Sequence, residues 1–436
     1  MGKKKQACTA AVASTFIWGS GQCLNRQYEK GILYLIAQVA CLFLIPSLWG
    51  HVWGLITLGD TAMVIEGSKV THGDNSILLM IKGLLFLFIA IFFVCIYITN
   101  IRDAYRQGKK IEEGRYVFTG KAWRKHVVDH GFPYAILVPA IIMVFVFVAV
   151  PILFGFLIAF TNYSSPDHLP PKNLVDWVGL DNFRNMFKLP MWNSTFWGVA
   201  GWTVFWAFVS TFTCFFGGLL MACLINGKRV KFKKFWRTIY ILPWAIPGMI
   251  SLLVFRNMFN GQFGAINTFL RNTGIISANI PWLSDVNLAK LVIIFVNFWL
   301  GFPYFMALMS GVMTSISTEV VEAARIDGAD AGQEFRYITL PLVLYTTAPL
   351  LIMSFATNFN NFNVIYFMTD GNPINSAYMY AGSTDILITW IYKLTTDNRQ
   401  FNMASVMSIL VFVVIATIST FNFLRTKAFK EEDMMG

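Results

Sequence analysis

The amino-acid sequence predicts an all-α polytopic membrane protein with about eight transmembrane helices. Hydrophobic residues make up 56% of the 436 residues and charged residues only 13%, whereas soluble domains have roughly 45–50% apolar and about 25% charged residues. The apolar residues are concentrated in runs long enough to cross a bilayer, which takes roughly 20 residues per helix. Lys and Arg are concentrated in alternate segments between these runs, as the positive-inside rule describes.

Eight apolar runs are predicted to cross the membrane. They cover residues 31–53, 77–99, 133–160, 196–225, 238–258, 287–313, 338–360 and 402–424. A further apolar piece at 377–392 contains Asp385 and precedes Lys393, so we expect an external interfacial or re-entrant helix there rather than a ninth span. We expect residues 9–19 to lie in or dip into the interface, behind an uncleaved N-terminus.

The charge distribution predicts the orientation. Segment 100–132 carries eight Lys and Arg residues and segment 226–237 carries six, whereas the first external loop has Lys69 alone. The protein is therefore expected to be a multi-pass protein of the plasma membrane with both termini cytoplasmic. The net charge of +11 is spread over these short segments, which argues against nucleic-acid binding.

The polar residues do not favour catalysis or metal binding. The five histidines fall in loops or near span ends, and the six cysteines form no CxxC pair. We therefore predict no catalytic residues, no metal site and no cofactor bound by this chain. An enzyme embedded in the membrane would need a cluster of His, Asp or Cys.

The segment EVVEAARIDGADAGQEFRYITLPL, from Glu319 to Leu342, lies between the sixth and seventh runs. Its first part, 320–326, is predicted to be helical, and Gly328 permits a bend. A second helical stretch follows and enters the next span at Leu340-Pro341. A stiff helix–bend–helix at the cytoplasmic surface suits docking into a groove on a cytosolic partner; the alternative is a solvated helical hairpin without a partner.

Two stripes of uncharged polar residues lie within the spans. Asn297, Gly301 and Tyr304 have the spacing i, i+4, i+7, so they share one helix face. Ser354, Asn358 and Asn361 repeat this spacing in the next span. Amide groups offer donors and an acceptor for neutral sugar hydroxyls, so the stripes predict a lined cavity. Alternatively, these residues join helices through hydrogen bonds.

Several motifs resemble a known family. The pattern Glu322-Ala323-Ala324, Gly328 and Ile338-x-Leu340-Pro341 resembles the EAA loop of importer-type ABC permeases. The segments WLGFPY (299–304) and SFATNFNNF (354–362) resemble the larger membrane subunit of maltose/maltodextrin importers. This resemblance covers roughly residues 130–430, but the large external domain of the enteric subunit is missing. The segment GSGQCLNRQYEKG (19–31) resembles N-terminal segments of related oligosaccharide permeases.

The resemblance implies a fold, a function and two sets of site residues. It implies a type I ABC importer permease core and import of a sugar, most simply maltose or maltodextrin, by alternating access. The residues implied to couple the chain to an ATPase are Glu322, Ala323, Ala324, Arg325, Asp327 and Gly328. The residues implied to bind substrate are Asn297, Leu300, Gly301, Tyr304, Ser354, Asn358 and Asn361.

The resemblance also implies partners and a domain organisation. The expected partners are a second homologous permease forming a heterodimer, two cytosolic ATPase subunits, an extracellular solute-binding protein, the sugar and membrane lipid. No GxxxxGK[ST] loop occurs, so ATP is expected to be bound by the ATPase subunits. The predicted regions are an N-terminal two-span region (1–130), the third span with its external loop (131–195), the permease core (196–425) with coupling loop 314–337, and a cytoplasmic tail (426–436).

Two transport alternatives remain. An ion-coupled secondary sugar transporter would need no ATPase, but would be expected to carry ionisable groups at mid-span. An ABC permease for another polar solute would share the EAA-like loop, although the uncharged Asn and Tyr stripes disfavour peptides and ions.

Overall fold

The computed structural model describes residues 5–66, 69–71, 73–169, 173–227 and 230–425. The chain divides into two units, Met1–Leu180 and Asp181–Gly436. Each unit is built from helices, as the apolar runs predict, since a helix satisfies its own backbone hydrogen bonds inside a bilayer.

Among its described residues, the first unit contains six helices and one pair of short strands. They are α1 (Gln6–Phe16), α2 (Ser20–Leu24), α3 (Tyr28–Thr57), β1 (Val64–Glu66), β2 (Lys69–Thr71), α4 (Ser76–Glu112), α5 (Gly120–Val144) and α6 (Val150–Ile158). The two strands pair antiparallel, with Ile65 opposite Val70. A π-helical turn, Phe145–Ala149, joins α5 and α6.

The second unit contains twelve helices among its described residues. They are α7 (Asp181–Lys188), α8 (Pro190–Asn226), α9 (Lys233–Ala245), α10 (Gly248–Met258), α11 (Ala265–Asn272), α12 (Val286–Ser315), α13 (Thr318–Ile326), α14 (Ala331–Glu334), α15 (Leu340–Phe359), α16 (Phe362–Thr369), α17 (Leu387–Thr396) and α18 (Phe401–Arg425). A second π-helical turn, Phe335–Thr339, joins α14 and α15.

All eight predicted spans coincide with helices. Among the described residues, six helical segments are long and apolar enough to cross a membrane: Tyr28–Thr57, Ser76–Glu112, Val128–Ile158, Pro190–Asn226, Val286–Ser315 and Ala331–Thr369. The predicted span 238–258 is a broken one, because α9 and α10 meet at 88°. The predicted span 402–424 corresponds to α18, whose searched apolar part is Phe401–Thr417. The all-α membrane fold is therefore confirmed.

Two segments differ from the sequence-based expectation. Helix α4 continues to Glu112, well into the segment 100–132 that was expected to be a connection. The apolar piece 377–392 is helical only from Leu387. Before that residue the chain forms a loop. In this loop the buried carboxylate of Asp385 accepts a hydrogen bond from the Gly382 backbone N–H at 2.7 Å and pairs with Lys393 Nζ at 2.9 Å.

The predicted interfacial segment 9–19 lies largely in α1, which packs along the end of α4. Buried polar side chains hold it there. Asn100 on α4 accepts from the Gly19 N–H at 3.0 Å and donates to the Ser14 carbonyl at 3.0 Å. Asp103, one turn later, pairs with Lys30 on α3 at 2.6 Å. The short N-terminal helices are therefore a fixed part of the first unit.

The core of the second unit consists of two apolar clusters on α8 and α12 and their neighbours. One cluster includes Trp206 and Val296, and the other includes Phe215 and Phe302. Along α8 and α12, the residues between the two clusters include polar side chains. The candidate site lies at this polar layer.

Candidate functional site

A chain of side-chain hydrogen bonds crosses the polar layer of the second unit. Asn361 Nδ2 donates to Asn297 Oδ1 at 3.2 Å, Asn297 Nδ2 donates to Asn358 Oδ1 at 3.4 Å, and Asn358 Nδ2 donates to Thr211 Oγ1 at 3.1 Å. We call these four residues the amide chain. It joins α8, α12, α15 and the start of α16, so three of the seven predicted substrate residues do meet.

The amide chain differs in burial along its length. Asn297 and Asn358 are 6% and 8% exposed, whereas Asn361 is half-buried. The backbone carbonyl of Asn358 also accepts from the Trp206 indole N–H at 3.0 Å. In this conformation Asn297 and Asn358 therefore join helices, as the packing alternative expected, while Asn361 retains accessible surface.

Asn361 does not belong to the helical stripe that its spacing predicted. Helix α15 ends at Phe359, and Asn361 instead caps α16, its Oδ1 accepting from the Val364 N–H at 3.4 Å. Its side chain reaches Asn297 because the chain turns at Asn360. Ser354 lies one turn before Asn358 on α15 and, in the described part of the chain, makes no hydrogen bond to the amide chain.

The remaining predicted substrate residues follow Asn297 along α12. A β-carbon on Gly301 would lie 2.6 Å from Cys214 Sγ, so glycine allows α12 to approach α8 closely. Leu300 packs against the cluster that contains Trp206. Tyr304 packs against the other cluster, with its ring centroid 5.6 Å from that of Trp244 on α9. The α12 stripe thus extends from one apolar cluster to the other.

Sequence reasoning missed Thr211 and Trp206. Both lie on α8 and are 2% and 0% exposed. Their partner Asn358 is 147 and 152 positions away, and helical periodicity carries no information about such pairings. The available signal was the presence of a polar side chain, Thr211, within an apolar run.

A second candidate site is the elbow formed by α13 and α14 between α12 and α15. The Ser317 hydroxyl caps α13 by accepting from the Glu319 N–H at 3.2 Å. Gly328 follows α13 with φ +86° and no atom within 4 Å of an added β-carbon, so backbone conformation alone favours glycine there. Asp330 and Gln333 form a capping box at the start of α14. The predicted helix, bend and second helix are all present.

An ion pair closes the elbow. Arg325 on α13 donates to Glu334 Oε2 on α14, through Nε at 2.9 Å and Nη2 at 2.6 Å. The side chains are 38% and 20% exposed. The pair ties the two short helices together, so the elbow can move as one body.

Most of the predicted coupling residues face outward. Glu322, Ala323, Arg325, Asp327 and Gly328 are exposed, and Ala324 is half-buried. Two apolar side chains that sequence reasoning did not single out are also exposed here, Ile326 at 85% and Tyr337 at 71%. Their exposure gives the elbow an apolar contact surface.

A cavity of about 600 Å³ lies beside the inner side of the elbow and is lined by residues of α8, α9, α12 and α13. Asn226, at the end of α8, binds two of the basic side chains that line this cavity. Its side-chain oxygen accepts from Arg237 Nη2 at 2.5 Å, and its backbone oxygen accepts from Lys233 Nζ at 2.8 Å. Glu322 lines the same cavity. The elbow is thus flanked by the basic start of α9.

Among the described residues, no three His, Cys, Asp or Glu side chains are grouped closely enough to hold a metal ion.

Comparison with known proteins connects these features. Residues 214–426 match the family described as the binding-protein-dependent transport system inner membrane component; this range includes the elbow and all of the amide chain except Thr211. The galactooligosaccharides transport system permease protein GanP of Bacillus subtilis is 39% identical over 423 residues, which are 97% of this chain and 98% of that protein. The maltodextrin transport system permease protein MalC of Streptococcus pneumoniae is 38% identical over 443 residues, 99% of each chain.

A solved structure supports the fold. One chain in the crystal structure of a bacterial ABC transporter involved in the import of the acidic polysaccharide alginate superposes with a TM-score of 0.56. It is 24% identical, and the match covers 69% of this chain and 96% of that one.

Proposed function

Because this chain belongs to the family of binding-protein-dependent transport system inner membrane components, we propose that it forms the oligosaccharide path of an ATP-driven importer in which other subunits hydrolyse ATP. It is a multi-pass permease of the ABC sugar-importer class. Two cytosolic ATPases, a second homologous permease and an extracellular solute-binding protein complete the importer. ATP is bound by the ATPases.

The observation that carries this proposal is the elbow of α13 and α14. It is short, exposed, apolar at Ile326 and closed by the Arg325–Glu334 pair. A stiff element that is joined to α12 by only two residues and leads through the π-helical turn into α15 can transmit a rigid-body movement of a bound ATPase to the spans. Glu322, Ala323, Ala324, Arg325, Asp327 and Gly328 form the ATPase-coupling surface.

The sugar path passes the polar layer of the second unit. Asn297, Leu300, Gly301, Tyr304, Ser354, Asn358 and Asn361 are its substrate-binding residues. Asn361, Tyr304 and Ser354 are half-buried, so they contact the sugar first. Asn297 and Asn358 lie behind Asn361. As the spans tilt during alternating access, they would replace the hydrogen bond between their own side chains with hydrogen bonds to sugar hydroxyls.

The orientation follows from the basic segments. The elbow and segments 100–132 and 226–237 face the cytoplasm, where the ATPases bind, and both termini are on this side. The loops on the other side receive sugar from the binding protein.

Maltodextrin is the substrate we propose, on the sequence resemblance of 299–304 and 354–362 to maltodextrin permeases and on the name of the MalC relative. Galactooligosaccharide is the second candidate, because the GanP relative is equally similar and matches over nearly the whole chain.

The test is purification of the tagged chain from its native membrane, identification of co-purifying subunits, and uptake in proteoliposomes. We expect an ATPase subunit to co-purify and labelled maltodextrin to accumulate only with ATP and binding protein. Competition with unlabelled galactooligosaccharide then separates the two substrates. Uphill sugar uptake by the chain alone, driven by an ion gradient, would overturn the proposal in favour of a secondary transporter.

A further inference from the structure

A groove runs along one face of α4 in the first unit, beside α1. Its first part is a cavity of about 470 Å³ lined by Ala11, Ile101, Arg102, Tyr105 and Arg106. Its second part is a cavity of about 380 Å³ whose lining includes Thr15, Phe16, Tyr97 and Ala90. We call the two cavities together the α1–α4 groove.

The two cavities follow one another along the same helix faces. Tyr105, Ile101, Tyr97, Val94 and Ala90 are spaced by three or four residues along α4, so they form one stripe. On α1, Ala11 lines the first cavity and Thr15, one turn later, lines the second. The two cavities therefore lie in line along α4, and the Tyr97 hydroxyl, which donates to the Thr15 carbonyl at 3.3 Å, links α4 to α1 at the end of the second cavity nearer the first.

The first cavity carries two unpaired cations. Arg102 and Arg106 are one turn apart and exposed, and among the described residues neither forms an ion pair. The nearby carboxylate of Asp103 is occupied, since it accepts from Lys30 at 2.6 Å and from Gln22 at 3.2 Å. Two guanidinium groups on adjacent turns suit a phosphate group, whose oxygens accept several hydrogen bonds at once.

The second cavity is mostly apolar, although Thr15 and Gln38 also line it, and α3 contributes Gln38, Cys41 and Leu48 to its wall. Phe16 is 75% exposed and Val94 is 54% exposed, and both line it. Arg106 follows Ala90 by sixteen positions, which is a rise of about 24 Å along the helix. Half of a hydrocarbon core is about 15 Å, and a headgroup layer lies beyond it. The length of the groove thus matches one phospholipid of a single leaflet.

We propose that the α1–α4 groove binds an anionic phospholipid of the cytoplasmic leaflet, with its phosphate on Arg102 and Arg106 and an acyl chain along Tyr97, Val94 and Ala90. The leaflet follows from the proposed cytoplasmic side of segment 100–132. An acidic peptide would use the arginines but leave the apolar half of the groove empty. The bound lipid would hold α1 against α4 and secure the N-terminal helices at the membrane surface.

The experiment is native mass spectrometry of the full-length chain titrated with dioleoyl phosphatidylglycerol. We compare R102Q/R106Q with K121Q/K125Q, which removes the same charge from two exposed residues one turn apart on α5, in the same basic segment. Loss of both arginines should weaken binding about 30-fold, whereas K121Q/K125Q should bind like the native chain. Ala11→Phe should also weaken binding, since it narrows the first cavity without changing charge.

Three outcomes would overturn the proposal. The first is an equal loss of affinity in both double variants, which would mean that only net charge matters. The second is equal binding of dioleoyl phosphatidylcholine, whose headgroup is zwitterionic. The third is full competition by glycerol 3-phosphate, which would show that the site binds a free phosphate without an acyl chain. Circular dichroism and size-exclusion profiles identify any variant that fails to fold, and Ala11→Phe then tests the groove independently of charge.

Discussion

The side-chain amide of Asn297 on α12 donates a hydrogen bond to the side-chain oxygen of Asn358 on α15, although the two residues are 61 positions apart. Asn358 in turn donates to Thr211 on α8, so three long helices share one buried polar layer. A slip of any helix by one residue would leave these groups unpaired in an apolar environment, which is costly. The layer therefore fixes the register of α8, α12 and α15.

Replacing Asn358 with Leu should destabilise the permease and impair sugar uptake. The change leaves Asn297 Nδ2 with the weak acceptor Cys214 Sγ at 3.8 Å in place of Asn358, and it removes the donor to Thr211 Oγ1. A buried unpaired group costs about 1–3 kcal/mol. We expect a lower thermal midpoint of the purified chain in detergent. Thr357→Val is the matched control, because Thr357 is exposed and, within the described part of the chain, its side chain bonds only to the Met353 carbonyl of its own helix, at 2.9 Å. An unchanged midpoint for Asn358→Leu would contradict the structural role.

Asn361→Ala should separate sugar contact from helix packing. Loss of the Asn361 side chain removes the cap of α16, worth about 1 kcal/mol, and the hydrogen bond to Asn297 Oδ1 at 3.2 Å. Because Asn361 is half-buried, water can take the place of its amide at Asn297. If Asn361 contacts the sugar, the KM for uptake should rise several-fold, whereas the thermal midpoint should fall less than in Asn358→Leu. A large loss of stability with an unchanged KM would instead assign Asn361 to packing.

The spans could be predicted because each is a long apolar run, and the bilayer imposes one length on all of them. The break between α9 and α10 also had a sequence signal. Ile246 precedes Pro247 and has extended backbone, φ −94° and ψ 132°, as expected for a residue before proline. Residues 238–258 were nevertheless predicted as one span, because mean hydropathy does not depend on the direction of the helix axis.

The candidate site was predictable in part. The α12 stripe follows from helical spacing, and the elbow follows from Gly328 and its flanking patterns. The position of Asn361 could not be predicted, because the end of α15 at Phe359 lacks a glycine or proline signal. The pairing of Asn358 with Thr211 depends on tertiary packing across 147 positions, which periodicity within one helix cannot encode.

Gly328→Val should uncouple ATP hydrolysis from uptake while leaving membrane insertion intact. A β-branched residue at φ +86° is strained by roughly 1–2 kcal/mol, and the backbone can relieve this strain by opening the elbow. We expect ATP hydrolysis by the purified importer to persist while sugar uptake per ATP falls. Gly274→Val is the control, because Gly274 also has positive φ, +71°, with no atom near an added β-carbon, but lies between α11 and α12. If Gly274→Val lowered sugar uptake per ATP as much as Gly328→Val, the effect would come from backbone strain at any such position and not from the elbow.

Reversing the charge of Glu334 alone should lower sugar uptake per ATP, and exchanging the charges of Arg325 and Glu334 should restore it. Glu334→Arg places two cations together across the elbow and should lower uptake per ATP, because α14 is no longer tied to α13. The pair itself contributes only about 0.5–1 kcal/mol at this exposure, so global stability should change little. The double variant Arg325→Glu/Glu334→Arg recreates an ion pair and should recover uptake. If it transports no better than Glu334→Arg, Arg325 acts through its place in the ATPase-coupling surface and not by closing the elbow.

Lys393→Met should destabilise the loop before α17 more than does the double variant that removes both charges of the Asp385–Lys393 ion pair. The side chain of Asp385 is 0% exposed and that of Lys393 15%, so the single variant leaves a buried carboxylate uncompensated, at a cost of about 3–5 kcal/mol. The double variant Asp385→Asn/Lys393→Met removes both charges and should lose less folding stability.

Burial already raises the pKa of Asp385 above its usual 3.8, although Lys393 opposes this shift, and loss of Lys393 should raise the pKa further. The folded state of Lys393→Met then favours the protonated Asp385 carboxyl. The loss of folding stability relative to the native chain should therefore be small at acidic pH and grow as pH rises through the folded-state pKa of Asp385. Thermal midpoints of the single and double variants at about pH 5 and about pH 8 measure this difference; a deficit independent of pH would mean that Lys393 acts only through its hydrogen bond to the Asp370 carbonyl.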